Sequence, residues 1–241
     1  MSNVSMGQFT GAARIPFRYD PAILGRFPRL AGGALLGLKM RNGPTPDCLR
    51  RLYLSEQQRT LERIGSTPLS EIESLAGWRV AFRQFGVDPT QYRSAAEALL
   101  RRLTKKGDIP SINTLVDICN LVSIRYALPV AAFDRAGLGG GITVRFARGD
   151  ERFTPLGEPA EEHPEAGEVI FTADSGMVVA RRWCWRQSQG SAVTEATQEA
   201  IFTIEAQHAG GRAGVEAALF DLLRLLEEYA GGEYQSELIV P

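Results

Sequence analysis

One asparagine lies inside a run of mostly apolar residues, INTLVDICNLVSIRYA, at positions 112–127. A buried amide that finds no hydrogen-bond partner costs roughly 1–3 kcal/mol. Asn120 therefore either bonds to a neighbouring loop within the core or faces a pocket, where its amide would orient a polar ligand. Ser123 and Asn113 belong to the same run. In the second interpretation we expect Asn120 and Ser123 to be catalytic residues and Asn113 to contact the substrate.

The segment 183–188, WCWRQS, combines two indoles, a thiol, a guanidinium, an amide and a hydroxyl. On a strand, the two tryptophans would share one face. Both are core side chains in one interpretation. In the other, the indoles stack against a base or a side chain, and the guanidinium meets a phosphate or a carboxylate. The substrate contacts expected here are Trp183, Trp185, Arg186, Gln187 and Ser188.

The run GLGGG at 137–141 could bring backbone N–H groups close to an anion. A Rossmann or Walker phosphate loop needs a helix after its glycines, and a strand-like run, ITVRFA, follows here. Two interpretations remain. The run is a flexible bend between strands, or Gly139, Gly140 and Gly141 form a wall where a ribose or a carbonyl oxygen approaches the backbone.

Strong nucleophiles and metal ligands are scarce. The three cysteines, Cys48, Cys119 and Cys184, are far apart and form no CxxC pair, which argues against a zinc site and a disulfide framework. The two histidines, His163 and His208, lie in loop-like segments. We therefore expect no metal and no cofactor, and we interpret the cysteines as inert thiols.

Adjacent arginines are the candidates for contact with nucleic acid. The chain has 27 Lys and Arg against 28 Asp and Glu, so it is not a protein that coats a polyanion. Local contact with part of an RNA remains possible, as does a simple solvated face. The arginines expected to contact RNA phosphates are Arg101, Arg102, Arg181 and Arg182.

Helices dominate the predicted first half of the chain. Thr45 is a good N-cap with Pro46 in the first helical position. Ser94 and Glu97 have the spacing of a capping box. The predicted elements are a loose arm or edge strand over 1–30, a strand over 31–40, and helices over 45–64, 70–85 and 94–107.

The second half changes to an alternating pattern. The run at 112–127 is apolar on nearly all sides, which predicts a buried helix. Runs rich in β-branched residues then predict strands, an acidic surface loop separates two of them, and an amphipathic helix follows. These strands lie near 130–133, 142–147, 168–173, 176–183 and 200–206, the loop covers 158–168, and the helix covers 214–229.

This order, helices first and strands later, predicts an α+β fold with mixed β-structure packed around the buried helix. We expect an N-terminal arm and helical extension over 1–90 and a core over 91–241, packed as one unit. The composition, with 44% apolar and 23% charged residues, is that of a globular protein. With no leader pattern and no apolar run long enough to span a membrane, we expect a cytoplasmic protein. A homo-oligomer is left open.

Four segments together resemble one known module. They are IPSINTLVDICNLVSIRYALPVAAFD (109–134), GITVRFARGDERFTPLG (141–157), GEVIFTADSGMVVARRWCWRQS (167–188) and VTEATQEAIFTIEA (193–206). The most distinctive motifs are V-D-x-x-N followed by L-P-V-x-x-F-D, and W-x-W-R-Q-S followed by T-x-x-T. Within a stretch from about 110 to 205 that covers about 40% of the chain, these segments resemble the B3/B4 module of the phenylalanyl-tRNA synthetase β subunit.

The resemblance implies a B3/B4-like fold and a function. In the synthetase this module is the editing domain, which hydrolyses the ester of wrongly attached tyrosine on tRNA. Nothing in the chain resembles the synthetase's catalytic core, so we expect a freestanding editing-type hydrolase that acts in trans on the aminoacylated 3′ end of tRNA. The alternatives are a non-catalytic tRNA-binding or RNA-binding module and a protein that binds a small amino-acid-like molecule.

The resemblance also assigns individual positions. Asn120 matches the family's asparagine in this helix. Cys119 stands where bacterial β subunits commonly carry threonine, and would be a wall residue of the pocket. Ala131 replaces a histidine of their editing pocket, and their acidic residue for the tyrosine hydroxyl falls near Gln189. An aminoacyl ester is already activated, so amides, hydroxyls and backbone N–H groups suffice without a catalytic triad.

Overall fold

A computed structural model describes residues 15–239 of the chain. Its helices are α1 (Pro21–Arg26), α2 (Asp47–Ile64), α3 (Glu73–Gln84), α4 (Ala95–Lys106), α5 (Thr114–Tyr126) and α6 (Gly211–Tyr229). Its strands are β1 (Phe17–Tyr19), β2 (Ala31–Leu38), β3 (Val130–Asp134), β4 (Ile142–Phe146), β5 (Val169–Ala173), β6 (Val178–Arg181), β7 (Arg186–Gln187), β8 (Ala200–Ala206) and β9 (Glu233–Ile239). The α+β class is confirmed.

The strands form two sheets. The first has the order β1-β4-β5-β6-β7 and is mixed, because β1 runs parallel to β4 while the other pairs are antiparallel. The second has the order β3-β8-β2-β9 and is antiparallel throughout. β2 lies between β8 and β9, so segments from both sides of residue 90 share one sheet.

α5 is the buried helix that the sequence predicts. It packs against α2, α4, α6 and β3, and most of its side chains are buried. Its buried carboxylate, Asp117, accepts hydrogen bonds from the Thr45 hydroxyl (2.6 Å) and the Ile112 amide (2.9 Å). Nearly all-round burial explains why the apolar residues of this segment do not keep to one face.

Several helix ends differ from the prediction. The α2 N-cap is Pro46, which makes no side-chain hydrogen bond, because the Thr45 hydroxyl bonds to Asp117 instead. At α4 only one half of the predicted capping box forms: the Ser94 hydroxyl accepts from the Glu97 amide, whereas the Glu97 carboxylate pairs with Arg79. Gly107 ends the helix in the left-handed conformation (φ 81°).

Two further helices begin at residues other than those predicted from the sequence. The predicted 70–85 helix begins as a 3-10 turn at 69–71, and α3 follows only after Ile72, whose backbone is extended. The last helix begins at Gly211, three residues earlier than predicted. β9 was not predicted, because EYQSELI is half-buried and lacks a clear apolar alternation. β1 is an edge strand, one of the two predictions for the N-terminal segment, but the same segment also forms the unpredicted helix α1. Residues 1–14 lie outside the described residues.

A cluster of aromatic side chains fills the space between the first sheet and helices α1 and α3. Trp183 is at its centre, with ring centroids 4.7 Å from Phe27 and 5.2 Å from Trp78, both edge-on. Edge-to-face aromatic pairs of this kind add stability beyond the area they bury. The segment that carries Trp183 is therefore held rigidly from behind.

The predicted acidic surface loop at 158–168 is only partly a surface loop. Glu168 is buried and accepts from Nε and Nη2 of Arg181 (3.0 and 2.9 Å), and Glu162 pairs with the same guanidinium. Two carboxylates of the loop thus neutralise a buried cation, which the local sequence did not show. Within residues 15–239, no helix is both long and apolar enough to cross a lipid bilayer.

Candidate functional site

A cavity of about 360 Å³ opens between α5 and the turn that joins β6 to β7. β3 and β8 of the second sheet form another wall. The sequence-predicted residues that line it are Cys119, Asn120, Trp183, Trp185, Arg186 and Gln187, together with Ala131 and Cys184. Two segments more than sixty residues apart in the chain therefore meet at one site.

The cavity has a buried floor and an exposed apolar rim. Phe133, Phe171 and Glu205 are at most 2% exposed and form the floor. Ile112 and Leu156 line the same cavity, yet they are 60% and 46% exposed. Exposed large apolar side chains around a concave site are typical of a surface that receives a ligand.

α5 positions Asn120 on the cavity wall. Val116, Cys119 and Asn120 follow one another at helical spacing and line the cavity together. Asn120 is half-buried, and its amide lies near the Tyr53 hydroxyl, whose pKa burial raises and the nearby amide lowers; the hydroxyl makes no hydrogen bond within the described residues. An amide has two N–H donors and a carbonyl acceptor, so this proximity leaves most of its hydrogen-bonding capacity for a ligand.

The tryptophan segment is a turn rather than the predicted strand. β6 ends at Arg181, and the next two residues, Arg182 (φ 45°) and Trp183 (φ 61°), take left-handed backbone conformations that are rare outside glycine. The expected alternation of side chains is therefore lost. Trp183 points into the core and forms part of the cavity floor, whereas Trp185 is half-buried and contacts Tyr92 with a centroid distance of 4.9 Å.

A carboxylate that the sequence analysis missed lies at the cavity floor. Oε1 of Glu205 accepts hydrogen bonds from the Tyr19 hydroxyl (2.8 Å) and from Nε1 of Trp183 (2.9 Å). Burial raises the pKa of Glu205 to about 7, although these two hydrogen bonds act in the opposite direction. The available signal was a glutamate inside the otherwise buried strand AIFTIEA. Gln189, where the resemblance placed an acidic residue, instead accepts from the Gly157 amide outside the cavity.

Both cavity cysteines, Cys119 and Cys184, lie in surroundings that raise the pKa of their thiols. Burial raises the pKa of the Cys119 thiol to about 12 and that of the Cys184 thiol well above its usual range, and a nearby carboxylate reinforces each shift. The reactive form of cysteine is the thiolate, which these surroundings disfavour.

Three predicted site residues have structural roles outside the cavity. The Ser123 hydroxyl donates to a backbone carbonyl just beyond the end of α5 (2.7 Å), and it is fully buried. The Asn113 side chain caps α5, because its Oδ1 accepts from the Val116 amide (3.0 Å). The Ser188 hydroxyl is hydrogen-bonded to that of Ser191 at 2.9 Å. Their polar groups are used within the fold, and none of the three lines the cavity. The structure therefore does not support the predicted catalytic role of Ser123 or the predicted substrate contacts of Asn113 and Ser188.

The glycine run also lies away from the cavity. Gly139 and Gly140 pack against the turn at 174–175, and the Gly141 amide donates to Asp174 (2.7 Å). A Cβ at Gly141 would lie 2.6 Å from the Pro16 carbonyl oxygen. The glycines therefore allow close packing of backbone against backbone and do not form the predicted wall for a ligand.

Gln187 and Arg186 flank the cavity in different ways. The Gln187 amide donates to the carbonyl oxygens of Ala132 (3.0 Å) and Ser191 (2.8 Å), which ties β7 to β3. Gln187 is thus a positioning residue. The Arg186 guanidinium is about one-third exposed, pairs with Glu158 at 2.7 Å and lies 5.1 Å from the Trp185 ring centroid, at the mouth.

Of the four arginines expected to contact RNA, two are not accessible. Arg181 is 4% exposed and bonded to Glu168, and Arg182 is buried with its guanidinium 4.7 Å from the Trp185 ring centroid. Their charges are used within the fold, because a buried cation must be paired. Arg101 and Arg102 lie exposed on α4. Within residues 15–239, no group of three or more His, Cys, Asp or Glu is arranged to hold a metal ion.

This geometry defines a class of protein: an α+β fold with a cavity between a buried helix and two sheets. The family model of the B3/4 domain matches residues 77–231, so the chain belongs to the B3/4 domain family. It is 34% identical over 133 residues to the phenylalanine–tRNA ligase beta subunit of Nocardia farcinica, a match that covers 52% of the chain and 15% of that subunit. It is 42% identical over 88 residues to the same subunit of Sodalis glossinidius, covering 36% of the chain and 11% of the subunit.

The matched segment is therefore less than one-sixth of either subunit. Among solved structures, the crystal structure of an N-terminal fragment of the phenylalanyl-tRNA synthetase beta-subunit from Pyrococcus horikoshii aligns with 95% of the chain and 55% of the fragment. The alignment has a TM-score of 0.48 and 13% sequence identity.

Proposed function

We propose that the protein binds the aminoacylated 3′ end of tRNA in this cavity and hydrolyses the ester in trans. The observation that carries the proposal is the meeting of Asn120 with the 183–187 turn on one cavity. Membership of the B3/4 domain family and similarity to tRNA ligase subunits supply the class of substrate.

The cavity suits an amino-acid side chain. Its volume, about 360 Å³, lies in the range of small-molecule sites, and its walls are mainly apolar. Oε1 of Glu205 already accepts two hydrogen bonds, while Oε2 makes no hydrogen bond to the described residues. A ligand with an apolar side chain that ends in a hydrogen-bond donor would satisfy both the walls and the floor.

The reaction needs little from the protein. A water oxygen attacks the ester carbonyl carbon, the bond from that carbon to the ribose oxygen breaks, and the ribose oxygen takes a proton from the attacking water. The products are a free amino acid and tRNA with a free terminal hydroxyl. In this proposal the Asn120 amide orients the ester and donates to the carbonyl oxygen as negative charge develops there. In this proposal the vicinal hydroxyl of the terminal ribose, which neighbours the ester oxygen in the substrate itself, relays the proton.

The test is to incubate the protein with a panel of mischarged tRNAs and to follow loss of the ester. Asn120→Ala should lower kcat about 100-fold, the order of effect for one oxyanion donor. Asn120→Asp keeps the volume of the side chain but places a carboxylate against the developing oxyanion, so it should be at least as inactive. Ser123→Ala, outside the cavity, is the control and should retain kcat in the fraction that folds.

Two outcomes would contradict the proposal. If wild-type protein accelerates ester loss from none of the mischarged tRNAs, the proposed hydrolase activity is wrong. Binding of tRNA without turnover would then support the non-catalytic alternative. Folded Asn120 variants with unchanged kcat would remove Asn120 from the mechanism. Circular dichroism and urea denaturation of each variant separate loss of activity from loss of fold.

A free amino-acid-like molecule is the second candidate ligand. The observation that favours it is the enclosed floor, where Phe133, Phe171 and Glu205 could hold a side chain without any contact to RNA. Such a ligand at 100 times its Kd should stabilise the protein by about 2.7 kcal/mol. A thermal melt with single amino acids measures this, and stabilisation together with indifference to tRNA would favour this candidate.

A further inference from the structure

A second concave surface begins where the cavity ends. It is a groove of about 430 Å³ along α4, lined by Arg101, Arg102, Lys105, Lys106 and Trp185 among others. We call it the basic groove. Trp185 lines both the cavity and the basic groove, so the two spaces are neighbours that share one indole.

The basic groove carries a local excess of positive charge in a chain whose net charge is −1. Its four cationic residues named above are all exposed. Arg102 is 3.8 Å from Asp108 in a pair exposed on both sides, which neutralises little. Within residues 15–239, the other three make no ion pair. The acidic residue of α4, Glu97, is buried and pairs with Arg79 and Arg93, so it does not offset them.

The spacing of the charges suits a chain of phosphates. Arg101 and Lys105 lie four residues apart on α4, as do Arg102 and Lys106, so each pair is separated by about 6 Å along the helix axis. The four cations thus form two tiers, and each tier can contact a different phosphate. A compact anion would use only one tier.

Trp185 is held in place at the junction. Tyr92 contacts its indole edge-on, and the guanidinium groups of Arg182 and Arg186 lie 4.7 and 5.1 Å from its ring centroid. An aromatic ring fixed beside a basic surface is the arrangement that proteins use to bind single-stranded nucleic acid, since bases stack on the ring while cations follow the backbone.

We infer that the basic groove binds the single-stranded 3′ end of the tRNA and directs it past Trp185 into the cavity. The identity of the RNA rests on the proposed function, whereas the groove itself rests on charge, exposure and continuity with the cavity. Phosphates contact the two tiers of α4, the terminal base stacks on Trp185, and the ester lies beyond it, against Asn120.

The experiment compares Arg101→Ala/Lys105→Ala with a matched control, Arg59→Ala/Arg212→Ala. Both double variants remove two exposed cations, but Arg59 and Arg212 line neither space. The first measurement is fluorescence anisotropy of a labelled single-stranded RNA ending in CCA, over a range of salt concentrations. The groove variant should bind about tenfold more weakly at low salt. Its log–log salt slope should be smaller by about 1.4, which corresponds to two phosphate contacts on a single strand.

The second measurement uses two esters, full-length aminoacyl-tRNA and an aminoacyl-adenosine that is too short to reach the groove. The groove variant should show a KM about tenfold higher for the tRNA, an unchanged kcat, and unchanged hydrolysis of the short ester. Lys105→Glu/Lys106→Glu is a second variant with a larger charge change, and should raise the KM for tRNA further.

The outcomes separate this inference from the proposed function. If wild-type protein hydrolyses the ester and the groove variant has the same KM and salt slope as wild type, the inference about the basic groove is wrong, while the proposed hydrolase activity is supported. RNA binding that depends on the groove, without ester hydrolysis, would support the groove and overturn the hydrolase. Wild-type protein that does not bind the RNA, or that binds acidic lipid vesicles or an acidic peptide in preference to it, would overturn the groove as an RNA site.

Discussion

Replacing Glu205 by glutamine should change how the stability of the protein depends on pH. The carboxyl group is 2% exposed, and burial raises its pKa to about 7. Glutamine has nearly the same shape and keeps an oxygen that can accept from Tyr19 and Trp183, but it cannot ionise. The substitution therefore removes a titration while leaving the packing of the cavity floor in place.

The sign of the effect follows from the raised pKa. Below the ordinary glutamate pKa of 4.5, Glu205 is protonated in both the folded and the unfolded chain. As the pH rises, the unfolded chain releases this proton first, so the folded state loses stability until the pH passes 7. The loss amounts to about 3 kcal/mol in full and about 2 kcal/mol between pH 5.5 and 8.5.

Urea denaturation of both proteins at several pH values measures the effect. The free energy of unfolding of Glu205→Gln minus that of wild type should increase by about 2 kcal/mol between pH 5.5 and 8.5. Taking the difference cancels the other titrating groups, and Glu195→Gln, at an exposed carboxylate, is the matched control for replacing glutamate by glutamine. A difference that stays constant with pH would refute the reasoning that Glu205 titrates near neutral pH in the folded protein.

Three other substitutions test the roles that the structure gives to residues of the predicted site. Arg181→Ala should lower the free energy of unfolding by about 3 kcal/mol, because the buried Glu168 loses both hydrogen bonds from the Arg181 guanidinium and keeps only the Arg182 amide and the more distant Arg182 guanidinium. Arg186→Ala, at the partly exposed cavity mouth, should cost less than about 1 kcal/mol, and equal losses in urea denaturation would contradict this contrast. Gly141→Ala should destabilise the protein by about 1–3 kcal/mol through its contact with Pro16, without lowering the kcat for ester hydrolysis. If the Gly141→Ala protein is as stable as wild type but has a lower kcat, this reasoning is wrong and the glycine run contributes to the site.

The fold class and most element positions could be predicted from local patterns. Alternating apolar residues identified β3, β4, β5, β6 and β8, and an apolar surface on nearly all sides identified α5 as buried. These predictions succeed because burial of apolar side chains and the period of the backbone act over a few neighbouring residues. The elements that were missed or shifted, such as β9 and the start of α3, have weak local patterns and depend on packing.

Only some residues of the candidate site could be predicted from local sequence patterns. The sequence singled out Asn120 and the tryptophan segment, and the structure places both on one cavity. It could not tell Asn120 from Ser123, three residues away on the same helix, because Ser123 finds its partner in the carbonyl of Leu128 after the chain turns. Nor could it orient Trp183, whose left-handed backbone breaks the expected alternation.

By itself, then, the amino-acid sequence determined the class of fold, the buried helix and a short set of residues able to do chemistry. Tertiary structure alone decided which polar groups remain free for a ligand. Tyr19 occupies one oxygen of Glu205 from 186 residues away, and Glu168 neutralises Arg181 from a loop that looked solvent-exposed. The physical reason is that hydrogen bonds and ion pairs in a low-dielectric interior are formed by groups that only folding brings together.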